Sequence, residues 1–143
     1  MRNFFLSRPR FGVRYNRPPL LVPKLQETMS IPSTPIFVKT HDFILWLLER
    51  TQRFPRRLRH SYTIRLENTA FDFEKAILMA NQHRNERRLH WLNEADGHLA
   101  CLRSLLRYAY DLELLAGTQI EFAARQIDEV GRLLGAWLKG TGR

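Results

Sequence analysis

From about residue 37 to residue 140 the apolar residues recur at steps of three and four, and this period constrains the fold more than any other feature. Such spacing builds one buried face on a helix, and neither strand-like alternation nor a hairpin signal interrupts it. A first helix is expected from Phe37 to Arg53, with Phe43, Leu47, Leu48 and Thr51 or Phe54 inward, and Pro55 ends it. A second runs from about Pro55 to Gln82 on Leu58, Tyr62, Leu66, Ala70, Phe73, Ile77 and Ala80. Asn81, Asn85 and the run HRNERR then weaken the helix without a proline. A third helix carries Leu89, Leu92, Leu99, Leu102, Leu106, Ala109 and Leu112 to about Leu115. Gly117-Thr118 reads as a stop and N-cap, with Thr118 and Glu121 at capping-box spacing. A fourth helix follows on Ile120, Ala123, Ile127, Val130, Leu134 and Trp137, ending at Gly140. The fold class expected is all-α: an antiparallel up-down four-helix bundle, its longer helices spanning about 40 Å at ~1.5 Å per residue.

A chain of 143 residues with 44% hydrophobic and 26% charged residues is of ordinary globular make-up. The domain is expected to cover residues 31–143. Residues 1–30 hold four prolines and no regular period, so they read as an extended or disordered basic tail. That tail is either a nucleic-acid-binding arm, with Phe4, Phe5, Phe11 and Tyr15 among its cations, or the product of a start placed upstream of Met29. No apolar run reaches the ~18 residues of a membrane span. The tail's Leu20-Leu21-Val22 is bracketed by prolines, unlike a secretory signal. The single cysteine, Cys101, precludes an internal disulfide and is expected to be buried and inert. The setting expected is the cytoplasm.

The formal charge of +9 favours a polyanionic partner or an anionic surface. Six of the Lys/Arg and one acid lie in the first 30 residues, so the domain itself carries +4. In the stretch Arg53–Asn68, Arg56, Arg57 and Arg59 open the expected second helix with no carboxylate among them. A cation at a helix N-terminus opposes the macrodipole at a cost of about 0.3–1 kcal/mol. Several guanidiniums beside uncapped N–H groups make a phosphate site, which would offset that cost. An antiparallel bundle would place Arg53, Arg56, Arg57, Arg59 and His60 beside the turn at 115–118. Arg84, Arg87 and Arg88, with His83 and His90, would lie at the opposite end with Lys139, so both ends are expected to be positive.

Catalytic signals are lacking: there is no Gly-rich phosphate loop, HExxH or CxxC. His83, His90 and His98 recur at seven and eight residues, too loosely for a zinc site, and read as solvated or core histidines. No metal or other cofactor is expected. Arg65, with Glu67 and Thr69 nearby, and Arg107, with Asp111 one turn on, read as structural ion pairs. Phe43, Trp46, Phe71 and Trp91 occupy more angles than one core stripe needs, and Gly131 and Gly135 permit close helix approach. These features indicate either a well-filled core or contact between subunits.

Three stretches taken together, FPRRLRHSYTIRLENTAFD, LRSLLRYAYDLELL and IDEVGRLLGAWLKG, closely resemble the accessory variability determinant proteins of diversity-generating retroelements. The similarity covers about residues 35–140, in the same order, and excludes the tail. It implies a non-catalytic four-helix protein, assembled as a homopentamer, that binds the element's reverse transcriptase and template RNA. By that picture the protein supports the error-prone cDNA synthesis of mutagenic retrohoming, with cDNA or an RNA–DNA hybrid as further polyanions of the same class. It needs no membrane. Five copies of the +4 domain would carry about +20. The matching basic positions are Arg53, Arg56, Arg59 and Arg65 in the first stretch, Arg103 and Arg107 in the second, and Arg132 in the third. Arg56, Arg57 and Arg59 are the first choice for contact with polyanion or polymerase, while Arg65, Arg103 and Arg107 hold the bundle or line a pore. Tyr62-Thr63 stands where relatives often carry small residues. The rival resemblance is to four-helix proteins encoded within ribosomal-RNA intervening sequences, which are less basic and have no reverse-transcriptase partner.

Overall fold

The computed structural model describes residues 32–142, so the expectations for the tail lie outside the described residues. Within that span every regular element is helical: α1 (Pro35–Thr51), α2 (Ile64–Gln82), α3 (Asn85–Asp111) and α4 (Gly117–Thr141). Each helix packs against two neighbours in the cyclic order α1, α2, α3, α4, and α2 with α3 is the closest pair. The helices alternate in direction. Thr51 at the end of α1 hydrogen-bonds Glu67 at the start of α2, and Tyr62, just before α2, reaches Leu105 late in α3. On α4, Phe122 meets Trp46 and Trp137 meets Phe37, so the order along α4 reverses that along α1.

The apolar period does its expected work. Leu47, Leu66, Ile77, Leu92, Leu99, Leu102 and Leu134 are the largest fully buried side chains, and Phe43, Phe73, Ile127 and Val130 complete the core around them. Burial of each such side chain contributes about 1.5–3 kcal/mol. Trp46 stacks on Phe43 and tilts against Phe122 within one subunit, so both aromatics belong to a filled core. Trp91 is half-buried beside His90, whereas Phe71 is 42% exposed.

Several boundaries differ from the sequence expectation. Pro55 does not begin a continuous helix. A 3₁₀ turn spans Arg56–Leu58, a π turn spans Arg59–Thr63, and regular α-helix starts only at Ile64. Pro55 has no N–H and disfavours helical backbone in Phe54, so α1 cannot run on. Its carbonyl instead accepts the Leu58 N–H at 3.0 Å, closing the tight turn. The π turn then adds a residue to the register, the Ile64 N–H reaching the Arg59 carbonyl. Thr63 is thereby buried in the place expected for Tyr62, and Tyr62 turns sideways to donate its hydroxyl to the Leu105 carbonyl. Burial pushes the Tyr62 phenol up to about 12, an effect the Ala109 amide opposes.

The break between α2 and α3 is two residues, His83 and Arg84, both extended, followed by Asn85 at φ 54°. Asparagine tolerates this left-handed conformation better than most residues. Helix α3 therefore starts ahead of Leu89. It also ends at Asp111 rather than near Leu115. The Leu114 N–H bonds the Ala109 carbonyl at 2.8 Å and the Glu113 N–H bonds that of Tyr110 at 3.0 Å, with Glu113 at φ 57°. This is a Schellman stop with glutamate in the position glycine usually takes. Leu112 falls beyond the helix and is 49% exposed, although its spacing suggested core. Helix α4 begins at Gly117. Its first turn is closed by the Gln119 side chain, which accepts the Ala116 N–H at 2.9 Å, in place of the expected Thr118–Glu121 pair. Cys101 is exposed rather than buried, because Leu99 and Leu102 own the inward face of that turn.

Candidate nucleic-acid interface

Arg53, Arg56, Arg57 and Arg59 all lie on the irregular link between α1 and α2, and all four are exposed. None pairs with a carboxylate among the described residues. The link's 3₁₀ and π turns have no acid in their first turn and no side-chain cap. Regular helix α2, by contrast, has Glu67 in its first turn, the sign its dipole prefers. The arginines thus stand ahead of the long helix rather than within its first turn, and the dipole penalty expected from sequence is correspondingly smaller. The antiparallel order brings them to the end of the bundle where α3 stops. A pocket of about 360 Å³ opens beside them, lined by Thr51, Gln52, Phe54, Pro55, Arg59, His60, Thr63, Ile64 and Glu67.

The opposite end is also basic but less available. Arg84 and Arg87 are exposed, whereas Arg88 is half-buried. The Arg88 Nε donates to the carbonyls of Ala80 at 3.1 Å and His83 at 2.9 Å, and its guanidinium lies 5.9 Å from the Trp137 ring centre. It closes the open C-terminal carbonyls of α2 and ties α2, α3 and α4 together. Among the sequence-selected cations, Arg88 is the one most committed to the fold.

The remaining cations line the flanks. Arg107 pairs with Asp111 at 3.1 Å, as the one-turn spacing implied, and lies 6.0 Å from the Tyr110 ring centre. Arg103 reaches Asp128 at 3.7 Å and crosses Gly131, where an added Cβ would meet its Nη2 at 2.7 Å. Gly131 therefore makes room for an arginine of its own subunit, while Gly135 faces open space. Arg103 and Arg107 border an apolar groove of about 350 Å³ between α3 and α4, floored by Leu106, Ile120, Ala123 and Ile127. Arg65 and Arg132 are exposed, and neither joins an ion pair among the described residues. Glu67, the expected partner of Arg65, is instead held by the Thr51 hydroxyl.

A family model described as bAvd-like matches residues 36–141, nearly the whole described span. The chain belongs to the bAvd-like family. No curated protein matches it. The match encloses both arginine-bearing ends of the bundle and excludes the basic tail, as the resemblance to accessory variability determinants implied. This member keeps Arg53, Arg56, Arg57 and Arg59 exposed at one end of the bundle. Among its described residues no three His, Cys, Asp or Glu side chains converge on a metal position, and no helix is long and apolar enough to cross a membrane.

Sequence reasoning gave Thr51, Thr63 and Glu67 no place in this site, although all three line the pocket beside the arginines. Their grouping depends on the π turn, which has no sequence signature here.

Proposed function

We propose that the protein is a cytoplasmic, non-catalytic accessory subunit of a diversity-generating retroelement. It binds the element's reverse transcriptase and template RNA and supports mutagenic cDNA synthesis, acting as a homopentamer. The observation that carries this reading is the cluster Arg53, Arg56, Arg57 and Arg59, exposed and without carboxylate partners, on a chain of the bAvd-like family. Four cations freed from internal ion pairs offer their full charge to phosphates, and releasing counterions from a nucleic acid drives such binding. A ring of five copies would repeat the cluster and multiply its effect.

The test is cDNA synthesis on the template RNA by the neighbouring reverse transcriptase, with and without the protein. Product that depends on the protein supports the accessory role. Arg56, Arg57 and Arg59 changed together to Glu should then abolish binding with helicity intact. Equal product in both reactions would refute the accessory role and turn attention to the intervening-sequence proteins.

A further inference from the structure

Five of the eight large hydrophobic side chains exposed among the described residues crowd one seam of the bundle: Val38 and Leu45 on α1, with Ile64, Phe71 and Leu78 on α2. Glu67 bonds Thr51, so the flank of α2 that bears Glu67 faces α1. Ile64 stands three residues before Glu67, and Phe71 and Leu78 stand four and eleven after it, spacings that keep all three on that flank. On α1, Lys39 pairs with Glu129 and Trp46 meets Phe122, so their flank faces α4. Val38 and Leu45 lie on the other flank, across the buried stripe and toward α2. The five side chains form an apolar ridge along the α1–α2 seam, about 20 Å long at ~1.5 Å per residue. A continuous exposed stripe of this kind marks a contact surface.

The cyclic helix order puts the α3–α4 seam on the opposite side of the bundle. That seam carries a groove instead of a ridge, about 350 Å³ in volume and floored by Leu106, Ile120, Ala123 and Ile127. Arg103 and Arg107 rim it. Their pairs with Asp128 at 3.7 Å and Asp111 at 3.1 Å are solvent-exposed and contribute little, so both guanidiniums can meet a further carboxylate. The ridge offers such carboxylates. Asp42, Glu67 and Glu74 flank it with no lysine or arginine partner among the described residues, and Lys75 alone opposes them there. Those acids repel phosphate, which separates this face from the arginine-bearing end. One chain therefore presents both halves of a contact: an acid-flanked apolar ridge and an arginine-rimmed apolar groove.

We propose that the α1–α2 ridge of one copy seats in the α3–α4 groove of a second copy. Phe71, near the middle of the ridge, enters between Leu106, Ile120 and Ala123, and the rim arginines turn to the carboxylates beside it. The contact is head-to-tail, because the two faces are unlike and each copy keeps one of each for a further neighbour. Such contacts close into rings when the rotation between copies permits. An odd-numbered ring requires them, since two-fold contacts alone give even numbers. The number of copies rests on the accessory reading above, whereas the contact itself needs neither RNA nor reverse transcriptase.

Sedimentation velocity of the full chain and two variants tests it. Phe71→Glu blocks the ridge and leaves the groove intact. Ala124→Glu fills the groove and sets a carboxylate against those of the ridge. Both positions are exposed in the subunit, so circular dichroism and melting temperature should stay close to those of wild type. Wild type should sediment as an assembly and each variant alone as a monomer. Mixed in equal amounts, the two variants should form a 1:1 pair and nothing larger, because each supplies the face that the other lacks. A monomeric wild type, either variant assembling like wild type, or a mixture that stays monomeric would overturn the contact. So would dimers of Ala124→Glu alone, which would show ridge meeting ridge. Any of these results leaves the accessory role to the cDNA-synthesis assay. A 1:1 variant pair from a protein without effect on cDNA synthesis would uphold the contact and refute the accessory reading.

Discussion

Replacing Arg53, Arg56 and Arg57 together with Gln removes three charges from the α1–α2 link and leaves the pocket residues untouched. All three side chains are exposed and have no carboxylate partner among the described residues, so each is available for one phosphate. For a single strand the slope of log affinity against log salt changes by about 0.7 for each phosphate contact, so the triple variant should lose about 2 units of slope. Between ~50 and ~200 mM salt that difference shrinks the wild-type advantage by about twentyfold. Fluorescence anisotropy of a labelled single-stranded RNA over a salt series reads the slope, and circular dichroism checks that helicity is unchanged. Arg107→Gln is the control: its charge is already balanced by Asp111 at 3.1 Å, so its slope should stay near that of wild type. Parallel lines for wild type and triple variant, with the fold intact, would refute the assignment of this cluster to phosphate contact.

Arg88→Met should show the opposite pattern, destabilising the fold by about 1–3 kcal/mol in urea while leaving the RNA salt slope nearly unchanged, because its Nε serves the Ala80 and His83 carbonyls. Tyr62→Phe should cost about 0.5–1.5 kcal/mol at neutral pH through loss of the bond to Leu105. The folded-state value of Tyr62 is raised from 10.0 to about 12, so its contribution is complete below pH 10 and is lost as the pH rises toward 12. Urea titrations across that window should therefore fall more steeply for wild type than for the variant. Gly135→Ala meets nothing within 4 Å in the subunit, and should stabilise an isolated subunit by about 1 kcal/mol through helix propensity. Loss of assembly in sedimentation without loss of subunit stability would place Gly135 at a contact between copies.

Four helices, most of their inward faces and the excess of positive charge are determined by the sequence alone. A period near 3.6 residues is a local property of the chain, and a stripe of Leu66, Ala70, Phe73 and Ile77 has one economical way to leave water. Charge is likewise additive, so the excess of arginine near residues 53–59 is visible without coordinates. Tertiary structure decided what depends on backbone register and competition between partners. No residue type announces that Arg59–Thr63 winds as a π turn, yet that extra residue buries Thr63, frees its hydroxyl and sends Tyr62 to Leu105. Glu113 ends α3 in a conformation usually left to glycine, because the Leu114 and Glu113 amides find carbonyls at Ala109 and Tyr110. Spacing could not separate Arg88, bound to two carbonyls, from Arg87, exposed one residue away. Side chains alike in sequence become different in role once neighbouring helices determine which of them has a partner within reach.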